Sequence, residues 1–187
     1  MSRKNKIPVI IALVCVLVIG VGSTVAYLSS ISRSVTNSFT VGEVKISLDE
    51  STGTSYKLTP GVRMTKDPKV TVKGGSEDCW LFVRLTKSSG FDDLVSMAVA
   101  DGWTHLDGSD GIYFRSVAAS DTDTVFHVLK DDSVTVKDSI TKEAMATITD
   151  PTLTFRAYAI QSYGIDTAAL AWTTLQSSIQ EYRSMKL

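Results

Sequence analysis

Two histidines, two cysteines and a scatter of Asp and Ser are the side chains with which this chain could do covalent or metal chemistry. Neither His105 nor His127 belongs to a His-Glu-x-x-His helix, and no cysteine pair stands nearby to complete a zinc site. His105 follows Trp103 and Thr104, and His127 lies between Phe126 and Val128, so both read as strand or turn residues. Ser-His-Asp sets can be drawn from so many Ser and Asp residues, but no Gly-x-Ser-x-Gly elbow frames one. Asp107, Ser109 and Asp110, and also Asp121 with Asp123, offer oxygens that would suit Ca²⁺. The twelfth position counted from Asp107 is Ala118 rather than the Glu of an EF-hand, and turn-forming Asp is the plainer reading. The chemistry-bearing residues therefore predict no enzyme, no cofactor and no metal.

Of the cysteines, Cys15 lies inside an apolar run that opens the chain. Met1 to Lys6 is cationic, Ile7 to Ile19 is almost wholly aliphatic, and Gly20 to Ala26 loosens into small residues, which are the three regions of a secretory signal. The cut is placed between Ala26 and Tyr27, because Thr24 and Ala26 fill the two positions that must be small. An uncleaved anchor is the rival reading, since Ile7 to Ala26 is about long enough to span a bilayer. Cleavage removes Cys15 and leaves Cys79 alone, either as a small buried hydrophobe or as half of an intermolecular disulfide. It also removes three bases (Arg3, Lys4, Lys6) and no acid, leaving 16 bases against 20 acids. A mildly acidic chain argues against nucleic acid and against binding anionic lipid by charge, so membrane contact is expected only through the uncleaved signal.

The mature chain is long enough for one domain with a substantial core. Val35, Phe39 and Val41 share one parity with Asn37 while Thr36, Ser38 and Thr40 take the other, a half-apolar extended segment over 27–42. Val44, Ile46 and Leu48 resume the alternation with parity shifted, which predicts a bulge or bend at Gly42-Glu43. Thr59-Pro60-Gly61 is a turn, and Lys69 to Lys73 a short strand closed by Gly74-Gly75. Cys79, Leu81, Val83 and Leu85 line one face of the next strand and Trp80 and Phe82 the other, which predicts a central strand covered on both sides. Phe91, Leu94, Val95 and Ala98 fall at helical spacing, predicting a short helix that ends near Asp101-Gly102. Strands are expected at Trp103–Leu106, Ile112–Ser116, Val125–Leu129, Val134–Val136 and Leu153–Gln161, with hairpin-type turns at 107–111 and Asp131-Asp132. Ala168, Trp172, Leu175, Ile179 and Tyr182 make the apolar stripe of a C-terminal helix capped by Asp166 or Thr167. Short strands separated by turns predict an antiparallel β-sandwich over 43–187 with short helices in its connections and a C-terminal amphipathic helix.

The signal junction, then Val35-Thr36-Asn37-Ser38-Phe39-Thr40-Val41-Gly42 and Val44 to Glu50, resembles the TasA/camelysin (CalY) group of secreted Gram-positive proteins processed by a SipW-type signal peptidase. Pro60-Gly61, Lys66 to Val72, Ser76 to Trp80 and Phe155 to Ala159 are similar to that group as well, so the resemblance spans most of the chain. It implies a jelly-roll winding of the sandwich. It also implies an extracellular matrix or cell-surface protein that self-assembles head to tail into biofilm fibres by donor-strand exchange, with accessory matrix proteins as further partners. In that scheme Tyr27 to Val41 leaves its own domain, and Val35, Phe39 and Val41 fill pockets of the next subunit. Camelysin has been classed as a metallopeptidase; the missing zinc motif gives no ground for carrying that activity over, and an exported camelysin-like metallopeptidase is kept as the lesser alternative. A monomeric surface adhesin or fibre-accessory subunit, with the loops around Ser88–Ser89 or 116–124 meeting a partner, stays open beside the fibre reading.

Overall fold

The computed structural model describes residues 43–52, 57–141, 148 and 151–184, with the side chains of Tyr182 and Arg183 excepted. The signal at 1–26 with Ala26 and Tyr27 at its cut, the donor-type segment at 27–42 with Val35, Phe39 and Val41, and the bend at Gly42 lie outside the described residues. The described residues belong to one compact unit, Val41–Leu187.

Three antiparallel sheets build it. The first orders β1 (Ile46–Asp49), β3 (Lys69–Val72) and β8 (Thr124–His127). A second places β4 (Cys79–Lys87) between β10 (Leu153–Gln161) and β7 (Ile112–Val117), with the two-residue β6 (Thr104–His105) beyond β7. The third and smallest sets β9 (Ser133–Val136) between β2 (Arg63–Thr65) and β5 (Val95–Ser96). Each pairing runs antiparallel, and β4 and β10 pair along nine residues from Cys79↔Gln161 to Lys87↔Leu153. The mainly-β, antiparallel architecture expected from the sequence is therefore present.

The two-sided apolar pattern of β4 decides the layering. Cys79, Leu81, Val83 and Leu85 point between the sheets, where they meet Val70 and Val72 of β3, Val117 and Val128. Phe82 points the other way and is covered by the C-terminal helix α2 (Ala168–Ser184), whose Ala168, Ala171 and Trp172 are buried against it. Trp172 packs 5.2 Å from the Phe82 ring and 5.4 Å from Tyr158. Trp80 adds a hydrogen bond from its indole N–H to the Ile165 carbonyl (2.9 Å), which fixes the turn that launches the helix. Of the two expected caps, Thr167 serves: its Oγ1 accepts from the Leu170 N–H at 3.3 Å, taking one of the donors that a helix start leaves unpaired. The result is sheet on sheet with a helix over the outer face of one.

Several expectations at element level hold and others do not. Thr59-Pro60-Gly61 is a turn closed by Val62 N–H to Thr59 O (3.1 Å), with Gly61 at φ 75°, the left-handed value that glycine adopts freely. The 107–111 hairpin joins β6 to β7. Its Gly111 combines φ 67° with a backbone so close to Leu85 that a Cβ would lie 2.2 Å from the Leu85 carbonyl oxygen. The helix expected from Phe91 past Ala98 is only one turn, α1 (Phe91–Leu94). Val95 turns extended and pairs with Val136, and Val99 bridges Leu129, so sheet partners win the backbone from a sequence with a β-branched residue at the turning point. β2 and β5 were not expected as strands, and Trp103 and Leu106 fall outside the two-residue β6. Asp131-Asp132 is not a hairpin turn: both residues sit at positive φ (54° and 47°) and carry the chain from β8 in one sheet to β9 in another.

Candidate assembly surface

The histidines, acidic residues and cysteine that could do chemistry are scattered. His105 lies exposed on β6 with its ring 5.2 Å from Tyr113, and His127 lies on β8 with Nδ1 2.7 Å from an Asp132 carboxylate oxygen. Asp123 is occupied locally, accepting from the Gly74 N–H and the Lys73 ammonium at 3.0 Å each, which hold its carboxyl below the usual range. Among the described residues no three His, Cys, Asp or Glu side chains gather where one ion could bind them. Cys79 is fully buried between the sheets without a disulfide, and burial pushes its thiol up to about 11. Of its two sequence readings, the small buried hydrophobe is the one this position fits.

The sandwich has two lateral sides, and they differ. Along the β7–β8 side, Arg115 enters from β7 and stacks 4.0 Å from the Phe126 ring centroid and 5.4 Å from that of Trp103. The Trp103 indole in turn donates to the His127 carbonyl at 2.8 Å. Burial lowers the guanidinium's pKa, and its Nε is enclosed with no acceptor; the two aromatic faces take the place of a carboxylate. This side is plugged.

On the opposite side, β1 and β10 form the two lips of an apolar groove of about 730 Å³. Leu48, Leu58, Met64, Phe91, Leu153 and Phe155 contribute its apolar lining. Its rim is polar and held firmly. Lys66 pairs with Glu50 at 2.5 Å and sits 5.8 Å from the Phe155 ring centroid. The buried Asp67 carboxylate accepts from the Ser51 N–H (3.0 Å), the Ser51 hydroxyl (2.6 Å) and the Lys69 ammonium (3.0 Å). The Ser51 hydroxyl and Lys69 hold that carboxyl far below the usual range, and together these bonds lock the chain leaving β1 in place. Beside the groove, β10 pairs with β4 along one edge, and among the described residues no strand pairs with the other. A nine-residue edge with an apolar groove behind it can accept an extended chain, main-chain groups to the strand and alternate side chains to the groove.

Position along the strands matters as much as side. Glu43 meets the start of β4, its carbonyl accepting from the Glu77 N–H at 3.2 Å, and Lys45 N–H donates to Ser76 Oγ at 3.1 Å. The groove lies at the other end, where β1 finishes and β10 begins. β4 covers nine residues, roughly 30 Å at strand rise, so the entry of the chain into β1 and the groove stand at opposite poles of the sandwich.

Sequence reasoning missed the groove and the Arg115 plug. A signal for Arg115 was present: it shares its parity on β7 with Tyr113 and Val117, an apolar face on which a cation needs an explanation. No family model matches the chain, and neither the curated proteins nor the solved structures contain a match.

Proposed function

We propose that this is an exported structural protein, a jelly-roll-wound sandwich of the TasA/camelysin type. After signal cleavage between Ala26 and Tyr27 by a SipW-type peptidase it assembles head to tail into extracellular matrix fibres. In this reading Tyr27 to Val41 of one copy adds to the open edge of β10 in the next, and Val35, Phe39 and Val41 enter the groove. The observation that carries it is the polar arrangement: the chain enters β1 at one pole and the groove opens at the other. The residues before Glu43 of the same chain would reach β10 most directly running parallel to it, whereas every pairing among the described strands is antiparallel. A neighbour's segment can run antiparallel, the slightly more stable pairing. Fifteen extended residues span roughly 50 Å, ample for the nine of β10. Such a contact does not close on itself, so it propagates.

The test compares purified Tyr27–Leu187 with a chain lacking Tyr27 to Val41, by negative-stain electron microscopy and size-exclusion chromatography over rising concentration. Filaments from the first and a folded monomer from the second are the expected result. Fibres from the truncated chain would refute the donor role, and a persistent monomer from the longer one, with the groove filled by its own segment, would refute assembly.

A further inference from the structure

The outer face of the β4–β10 pair is only half covered. Toward the Cys79 end, Trp80, Phe82, Tyr158 and Ile160 lie under α2, but further along, Arg84 and Arg156 stand directly opposite each other, both exposed. Thr86 and Thr154 form the next exposed pair on that face. Most cations near the sheets are matched: Lys45 to Glu43, Lys66 to Glu50, Lys69 to Asp67, Lys73 to Asp123 and Lys87 to Asp92. Neither Arg84 nor Arg156 makes an ion pair or side-chain hydrogen bond with any described residue. Like charges directly opposite on an antiparallel pair destabilise it, and their Cβ atoms lie only about 5 Å apart. Two guanidinium forks side by side, unneutralised and facing outward, make a receptor for carboxylates.

The other pole carries the complement. Glu43, Glu77, Asp78 and Asp121 cluster around the entry to β1 and the start of β4; Glu77 and Asp78 are exposed, and the nearby Lys45 and Lys73 already have partners. Building on the head-to-tail reading, we propose that Arg84 and Arg156 receive the acidic pole of a second copy, with Glu77 and Glu43, whose Oε2 also holds Lys45, as the matching carboxylates. A donor running antiparallel to β10 brings its root, and with it Glu43, to the Leu153 end, the same half of the sheet that holds the arginine pair. The donor segment supplies apolar contacts, and the charge contact sets which end of the next copy it enters and steers the approach.

The test measures the critical concentration for polymerisation of mature Tyr27–Leu187 and its R84E/R156E variant at low and physiological salt, with circular dichroism to verify each fold. We expect R84E/R156E to stay folded and to raise the critical concentration about tenfold at low salt, the gap narrowing as salt rises. Adding E43R/E77R to the same chain should restore assembly. Unchanged assembly of R84E/R156E would overturn this inference and leave the fibre reading standing, and weakened assembly without rescue would overturn the choice of Glu43 and Glu77. Failure of the wild-type chain to polymerise would overturn both.

Discussion

Replacing Trp172 by Ala tests whether α2 is held to the sheet by one aromatic anchor. Trp172 is 5% exposed and contacts two further rings, whereas Leu175 and Ile179 further along the stripe are only partly buried. A buried Trp removes roughly 150–250 Å² from water, and at about 25 cal/mol per Å² this gives roughly 4–6 kcal/mol as an upper bound. Large-to-small aromatic substitutions in cores cost about 3–5 kcal/mol, and a helix at the surface relaxes more readily than a central strand, so about 3 kcal/mol is expected here. Urea unfolding of Tyr27–Leu187 followed by far-ultraviolet circular dichroism gives the value, with Leu170→Ala as control because Leu170 is 52% exposed and should change stability by no more than about 0.5 kcal/mol. A smaller m-value in Trp172→Ala would show the helix leaving the sheet before the rest unfolds. A loss below about 1 kcal/mol with an unchanged m-value would refute the anchoring argument.

Two further outcomes follow from titratable groups. Asp67 has its carboxyl pKa depressed by Ser51 and Lys69, so its contribution to stability is full above the unfolded carboxylate value near 3.8 and fades as pH falls below it. Acid titration of stability should therefore show a drop below about pH 4 that is shallower in Asp67→Asn, and equal acid slopes in the two proteins would count against the network. Cys79, with its thiol pushed up to about 11 and no solvent exposure, should resist a thiol reagent at pH 8 in the folded chain and react once denatured; rapid labelling of the native protein would contradict the burial.

How legible the fold was in the sequence depended on whether a feature was local. The two-sided pattern of β4 announced a central strand because five consecutive apolar or aromatic residues, Cys79 through Val83, leave no solvent face, each being covered on one side or the other. The α2 stripe and its Thr167 cap were legible for the same reason: periodicity and capping are both written within a few residues. The 91–98 segment misled because Phe91, Leu94, Val95 and Ala98 satisfy helical spacing, while the strand partners that claim Val95 and Val99 lie far along the chain. The groove and the opposed arginines were invisible on similar grounds. Arg84 and Arg156 are unremarkable apart, and only the β4–β10 register sets them face to face.

The position of β4 has a consequence for how the chain becomes folded. Its neighbours β7 and β10 and its cover α2 all follow it in sequence, and the ribosome delivers the chain from the N-terminus. Until residues 153–184 have emerged, Trp80 and Phe82 have no helix above them and one edge of β4 has no partner. The centre of the molecule is thus the last part to be enclosed, a non-local closure that makes for slow folding. Through that interval the aromatic face of β4 is bare, so a holding factor would serve the chain more than any added stability in the finished fold.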